Sequence, residues 1–194
     1  MVDKDKKINI AFNGFGRIGR NLVRKLVKDT KYNIVAINAR TTTSVRAHLF
    51  KYDSIHGHFD GTIETELDNL IINGQTIPNF DRSTPAKLPW GELEVDYVID
   101  STGKFNDKHS LSQHIEAGAK NVIVTAPAAD VDATLIYGVN ETDYKVQENN
   151  IVSASSCTTT CLTPILKVLQ KQYGIKHGYI TTVHSFTMGQ TLLD

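Results

Sequence analysis

Large apolar side chains occupy every second position of Ile8-Asn9-Ile10-Ala11-Phe12, the pattern of a strand. Asn13-Gly14-Phe15-Gly16-Arg17-Ile18-Gly19 interrupts it. Leu22, Val23, Leu26 and Val27 then recur at helical spacing among Arg20, Arg24, Lys25 and Lys28, which predicts an amphipathic helix with a basic outer face. Ile34-Val35-Ala36-Ile37 reads as a second strand. Strand, glycine turn, helix and strand within about thirty residues make one βαβ unit, with parallel strands and a right-handed connection.

Between Gly57 and Asp81 the pattern changes. Ile71-Ile72-Asn73-Gly74-Gln75-Thr76-Ile77 sets Asn-Gly between two β-prone runs and predicts a hairpin, an antiparallel insertion on the sheet. Further on, Val95 to Asp100 and Asn121 to Thr125 read as strands, and Ser110 to Ala117 as a helix closed by Gly118. Thr134 to Val139 and Ile151-Val152 are shorter strand candidates. Leu162, Ile165, Leu166, Val168 and Leu169 predict a helix from Cys157 to Tyr173, stopped by Gly174 and bent by Pro164 if it starts that early. His177 to Ser185 reads as a strand. A parallel α/β domain over 1–152 is expected, with a second segment over 153–194.

Composition narrows the class. The 194 residues carry 21 basic and 21 acidic side chains, a balance that argues against a coat for nucleic acid or an anionic membrane. No apolar run approaches the roughly 18 to 20 residues of a membrane span. Met1 to Lys7 is charged and leads into no signal-peptide core, so a cytoplasmic protein is expected. Two cysteines, Cys157 and Cys161, are too few for a disulfide framework or, without a histidine cluster, for a metal site; no metal is expected.

Gly14-x-Gly16-x-x-Gly19 gains meaning from its context, after a strand and opening a helix. The first glycine permits the tight turn, the second lets backbone approach a pyrophosphate, and the third lets helix and strand pack closely. The helix N-terminus offers free N–H groups to phosphate. An ordinary βα loop is the alternative. The expected fold is a Rossmann-type doubly wound, mainly parallel α/β sheet. An acidic residue should follow about 20 positions on to take the adenosine ribose hydroxyls. Ile37-Asn38-Ala39-Arg40-Thr41-Thr42-Thr43 has none there. Arg40 and the threonines could bind a 2′-phosphate that a carboxylate would repel, which tilts the reading from NAD toward NADP or dual use. A solvated Arg40 is the alternative.

Ser153-Ala154-Ser155-Ser156-Cys157-Thr158-Thr159-Thr160-Cys161 places a cysteine at the start of a helix, where the dipole favours thiolate. Ser156 and Thr158 flank Cys157 with hydroxyls suited to a phosphate or carbonyl oxygen. Thr181-Thr182-Val183-His184 supplies a base if the fold brings it close. Cys157 as a small core residue is the alternative, and Cys161 is assigned to packing. The remaining histidines, His48, His56, His58, His109, His114 and His177, are read as solvated or structural.

Together, Asn13 to Arg20, Lys51-Tyr52-Asp53-Ser54-Ile55-His56-Gly57, Leu88-Pro89-Trp90, Ser101-Thr102-Gly103, Gly138-Val139-Asn140, Ser156-Cys157-Thr158-Thr159 and Thr181-Thr182-Val183-His184 resemble the phosphorylating glyceraldehyde-3-phosphate dehydrogenase family. Its sister, erythrose-4-phosphate dehydrogenase, is similar. The resemblance implies that Cys157 attacks an aldehyde, that His184 takes the hydroxyl proton as hydride leaves, and that inorganic phosphate releases an acyl phosphate. It assigns Gly14, Gly16, Arg17, Ile18, Ala39, Arg40, Arg82, Thr102, Gly103 and Thr125 to the cofactor. Ser156, Thr158 and Thr187 go to the phosphorylated aldehyde and inorganic phosphate. The resemblance also implies that 153–194 is the start of a second, α+β catalytic domain, and that the full-length protein is a homotetramer. The family usually reads Ser-Asn-Ala-Ser-Cys-Thr-Thr-Asn around the nucleophile; Ala154, Ser155 and Thr160 depart from it. Ala39 stands where NAD-using members carry aspartate. The family pattern continues past residue 194, with a phosphate-binding arginine and an asparagine that orients the nicotinamide. A truncated, non-catalytic dinucleotide-binding or assembly module is the rival reading.

Overall fold

The computed structural model of the chain describes residues 6–187, so the outer ends of both expected segments, 1–5 and 188–194, lie outside the described residues. The first apolar run becomes β1 (Ile8–Asn13), followed by α1 (Arg17–Leu26) and β2 (Tyr32–Asn38). Seven strands form one sheet in the order β6 (Asn79–Phe80), β2, β1, β7 (Tyr97–Asp100), β8 (Asn121–Val124), β10 (Ile151–Ser153) and β9 (Ala133–Thr134). Every neighbouring pair is parallel. Winding runs from β1 toward β6 on one side and through β7 and β8 on the other. This Rossmann-type doubly wound sheet therefore has its switch point between β1 and β7, where a crevice opens at the C-terminal strand ends.

Both faces of the sheet are covered, as its near-continuous apolar strands require. On one face Ile10 and Phe12 pack with Val23 of α1 and Phe50 of α2 (Thr43–Lys51). On the other, Ala11 packs with Trp90, Val95, Val98 and Ala119, and Leu111 of α3 (Lys108–Glu116) packs with Val122, Val124 and Ile151. The β1–β2 register slips between Ile10 and Ala11. That bulge explains why Ile34 and Ile37 share one cluster while Val35 and Ala36 pack in the other.

The Asn73-Gly74 hairpin forms with positive φ at both loop residues (50° and 79°), joining β4 (Asn69–Ile72) to β5 (Gln75–Ile77). With β3 (Ile63–Glu66) these strands make a separate three-stranded antiparallel sheet instead of extending the main one. Gln75 joins the two sheets by donating to the Asn33 side chain at 2.8 Å and the Ile34 carbonyl at 2.9 Å.

Two sequence expectations need correction, and one element was not anticipated. Helix α2 has no counterpart in the periodicity, because its buried positions are Arg46 and Phe50 and a charged residue stands on its inward face. The strand expected over Thr134 to Val139 stops at Thr134. There the Asn140 side chain accepts from Ile136 N–H and donates to the Thr134 carbonyl, satisfying groups a longer strand would have paired. His177 to Ser185 is not a strand. It belongs to the unit that follows Ser156, which among the described residues contains α4 (Cys157–Tyr173) and no strand to pair with. Helix α4 begins at Cys157, with Pro164 inside it; Thr163 Oγ1 donates to the Thr159 carbonyl at 2.9 Å one turn back. Among the described residues, no helix is long and apolar enough to cross a membrane.

Helix α1 meets the loops after β1 and β7 at Gly19, where an added Cβ would lie 2.6 Å from the Gly14 carbonyl oxygen and 2.7 Å from Ser101 Oγ. Gly19→Ala should therefore cost about 1–3 kcal/mol in urea denaturation, the range for overpacking. At Gly16, where a Cβ meets nothing within 4 Å, the alanine variant should unfold close to wild type.

Candidate functional site

Three adjacent strands, β2, β1 and β7, each end in a short polar side chain, and these meet. Asn38 closes β2, Asn13 closes β1 and Asp100 closes β7, all buried. Asn38 Nδ2 donates to Asn13 Oδ1 at 2.7 Å, and Asn13 Nδ2 donates to Asp100 Oδ2 at 2.7 Å. His114 of α3 stands behind them. Its Nδ1 accepts from Trp90 Nε1–H at 2.9 Å, and since indole can only donate, the imidazole proton is on Nε2. Nε2 then donates to Asp100 Oδ2 at 3.2 Å. The other carboxylate oxygen accepts from the Thr102 amide at 3.0 Å and from Thr102 Oγ1 at 2.7 Å. At the far end, Asn38 brackets the Arg82 peptide, accepting from its N–H at 2.8 Å and donating to its carbonyl at 2.9 Å. The strand-end network thus fixes the loops that carry Thr102 and Arg82. Sequence reasoning missed it, though three apolar strands each ending in Asn or Asp were a usable signal.

The glycine turn lies at the same edge. Gly14 adopts φ +98°, and a Cβ there would come within 2.9 Å of three backbone atoms of Ser101 and Thr102. Gly16 is exposed and precedes α1, whose N-terminus has no side-chain cap and no acidic residue in its first turn. Its N–H groups are available to an anion, and the open space at Gly16 is where a diphosphate could approach the backbone. Exposed Arg17 and Ile18 start that helix. Thr125 is tied to the edge through its N–H to the Asp100 carbonyl at 2.9 Å. Gly14, Gly16, Arg17, Ile18, Ala39, Arg82, Thr102, Gly103 and Thr125 all follow C-terminal strand ends, where a dinucleotide fits the residues present.

At the end of β2 a cavity of about 420 Å³ is lined by Arg40, Thr41 to Thr43, Arg46, Asp68, Asn79, Phe80, Asp81 and Arg82. Arg40 is exposed, as are Thr41, Thr42, Asp81 and Arg82. Two carboxylates, distant in sequence from the Ala39 turn, therefore share its wall. Arg46 is buried; burial holds its basicity below the ordinary arginine value, opposed by Asp81 and Asp68.

The cysteine centre lies in the second unit. Cys157 begins α4, and its Sγ is 3.1 Å from His184 Nε2. His184 Nδ1 faces the Ser185 carbonyl at 2.5 Å; a proton there leaves Nε2 toward the sulfur. His184 lowers the Cys157 pKa, with further help from Thr158. The Ser185 carbonyl and then Cys157 raise that of His184. Both shifts favour a thiolate–imidazolium pair. The turn before α4 is strained: Ser155, which the family pattern would fill with alanine, is buried with φ +67° and donates its N–H to Ser153 Oγ at 2.9 Å. Ser156 is half-buried, Thr158 half-buried and Thr187 exposed. Cys161, expected in packing, is exposed: no described residue of α4 is buried. Among the described residues no three metal-ligating side chains converge.

A doubly wound sheet with an open glycine turn at its switch point, followed in sequence by a cysteine–histidine pair, places the chain in the class of dinucleotide-binding α/β proteins. The family model described as glyceraldehyde 3-phosphate dehydrogenase, NAD binding domain, matches residues 8–108, and that described as the C-terminal domain matches 156–194. The chain belongs to the glyceraldehyde-3-phosphate dehydrogenase family. It is 46% identical over 187 residues to glyceraldehyde-3-phosphate dehydrogenase of Priestia megaterium, covering 96% of this chain and 56% of that protein. Glyceraldehyde-3-phosphate dehydrogenase 2 of Bacillus subtilis is 46% identical over 188 residues (97% and 55%). The Thermotoga maritima enzyme of the same name is 47% identical over 188 residues (95% and 56%). The chain thus spans somewhat over half the length of these relatives.

The depressed Cys157 pKa makes its thiolate appear at lower pH than a free cysteine's. Iodoacetamide should label Cys157 well ahead of Cys161 at neutral pH, read by peptide mass mapping. His184→Ala should shift the Cys157 alkylation profile to higher pH, and an unshifted profile would count against the pair.

Proposed function

We propose that this chain is the dinucleotide-binding domain and first catalytic segment of a glyceraldehyde-3-phosphate dehydrogenase that uses NADP or NAD, with residues 1–152 and 153–194 as the two parts. The observation that carries the reading is the 3.1 Å approach of Cys157 Sγ to His184 Nε2 at the head of α4. In this mechanism the Cys157 thiolate attacks the aldehyde carbon, and imidazolium His184 gives its proton to the resulting alkoxide. His184 then takes the hydroxyl proton back as the C–H bond breaks and hydride departs. The nicotinamide cofactor supplies the hydride acceptor when bound. A thioester on Cys157 remains; inorganic phosphate attacks its carbonyl, releasing an acyl phosphate and restoring the thiolate. Ser156, Thr158 and Thr187 are assigned to substrate and inorganic phosphate.

The cofactor is assigned to the glycine turn and strand ends: Gly14, Gly16, Arg17 and Ile18 at the pyrophosphate, Arg82, Thr102, Gly103 and Thr125 along its length, and Ala39 and Arg40 at the adenosine ribose. Ala39 provides no carboxylate for the ribose hydroxyls, and Arg40 supplies charge for a 2′-phosphate, which favours NADP. The full-length protein works in the cytoplasm as a homo-oligomer; two free cysteines suit a reducing compartment.

Mixing the protein with glyceraldehyde 3-phosphate, phosphate and NADP should produce reduced nicotinamide, and Cys157→Ser should abolish it. Nucleotide binding without any turnover would favour the non-catalytic reading, and preference for erythrose 4-phosphate the sister activity. Separately, Ala39→Asp with Arg40→Leu should weaken NADP binding about tenfold or more and strengthen NAD binding, by titration calorimetry. Unchanged affinities would remove the ribose assignment.

A further inference from the structure

Arg46 is a buried cation that the mechanism leaves unused. It is 4% exposed, yet among the described residues no carboxylate lies within ion-pair distance of it. Its guanidinium donates to the Ala39 carbonyl, to Asn79 Oδ1 at 2.9 Å and to the Phe80 carbonyl at 3.4 Å. Nε is enclosed and has no partner. The side chain thereby ties α2 to the turn after β2 and to β6, two elements that wall the cavity beside the Ala39 turn. A buried guanidinium without a contacting carboxylate is expensive to retain, because its hydrogen bonds and the more distant Asp81 and Asp68 offset only part of the desolvation. An apolar residue on this helix face would meet the same packing need without that cost.

Charge around the cavity supplies a reason. Its lining carries three arginines, Arg40, Arg46 and Arg82, against two aspartates, Asp68 and Asp81. With Arg46 the wall has an excess of one positive charge; without it the signs cancel. Arg40 and Arg82 are exposed, so water screens them, whereas Arg46 acts from a dehydrated position where its field is less attenuated. Helix α2 contributes in the same sense: Thr42 gives its N-terminus no side-chain cap, and no acidic residue occupies its first turn.

We propose that Arg46 is a specificity-determining positioning residue, a buried counter-charge that selects a nucleotide bearing a phosphate on its adenosine 2′-oxygen. It offsets Asp68 and Asp81 so that a dianion can enter beside Arg40. This deepens the NADP reading and rests on it. The role belongs to the charge and not to contact with the phosphate, so lysine should retain much of it and glutamine should not.

The test is calorimetric binding of 2′,5′-ADP and 5′-AMP to the whole chain, as wild type, Arg46→Gln and Arg46→Lys. Wild type should prefer 2′,5′-ADP. Arg46→Gln should reduce the ratio of 2′,5′-ADP to 5′-AMP affinity about tenfold, and Arg46→Lys should keep most of it. A wild-type preference that persists in Arg46→Gln overturns the role of Arg46 and leaves the NADP reading standing. Equal loss in the glutamine and lysine variants also overturns it, since guanidinium geometry alone would then matter. A wild type with no preference removes the NADP reading itself, and this inference with it. Should Arg46→Gln fail to fold, Arg46→Lys still decides: loss of the preference in a folded lysine variant contradicts a charge-based role, and its retention supports one.

Discussion

A carboxylate without solvent contact must find donors for its lone pairs, and Asp100 finds four: Asn13 Nδ2, His114 Nε2, and the amide and hydroxyl of Thr102. Hydrogen bonds to a buried charge are worth about 1.5–3 kcal/mol each, and stranding such a charge costs more than any one bond returns. The arrangement is therefore close to all-or-none. If Asp100 is buried, β1, β7, α3 and the Thr102 loop must hold their relative positions. Through Asn13 and Asn38 the same constraint reaches β2 and the Arg82 peptide. The sheet reverses winding between β1 and β7, and this polar chain fixes the strand ends on both sides of that switch point.

This division explains what was readable in the sequence. Elements with one uninterrupted apolar period, such as β1, α1 and the Asn73-Gly74 hairpin, announce themselves, since burial and turn geometry act on neighbouring residues. Helix α2 does not, because Arg46 occupies a buried position that pattern logic reserves for an apolar side chain. The run from His177 to Ser185 looks like a strand, but strand propensity needs a partner edge, and the unit containing it supplies none among the described residues. The strand after Ala133 is cut short by a side chain, Asn140, acting six residues away on Thr134.

The candidate sites divide along the same line. The glycine turn is legible because each glycine answers a local demand: Gly14 and Gly19 to close backbone, Gly16 to open space. Cys157 is legible from its helix start, and His184 from its motif. The strand-end network is not, because its partners are far apart in sequence, 87 residues between Asn13 and Asp100 and 24 between Trp90 and His114. Likewise, the carboxylates lining the cavity at the end of β2, Asp68 and Asp81, are brought there by the turn between β3 and β4 and by the segment after β6. A site built on a topological switch point will always conceal such partners, since the switch is where sequence-distant strands become neighbours.

The central claim is that the Asp100 network preorganises the dinucleotide crevice. Its most direct test is the affinity of Asp100→Asn for NADP, measured alongside the fluorescence of Trp90, the chain's one tryptophan. An asparagine in place of the carboxylate loses the charge that four donors surround, and its amide group must face at least one of them. The account predicts affinity lowered about tenfold or more, with altered Trp90 emission as His114 loses its partner. Wild-type affinity in that variant would contradict it.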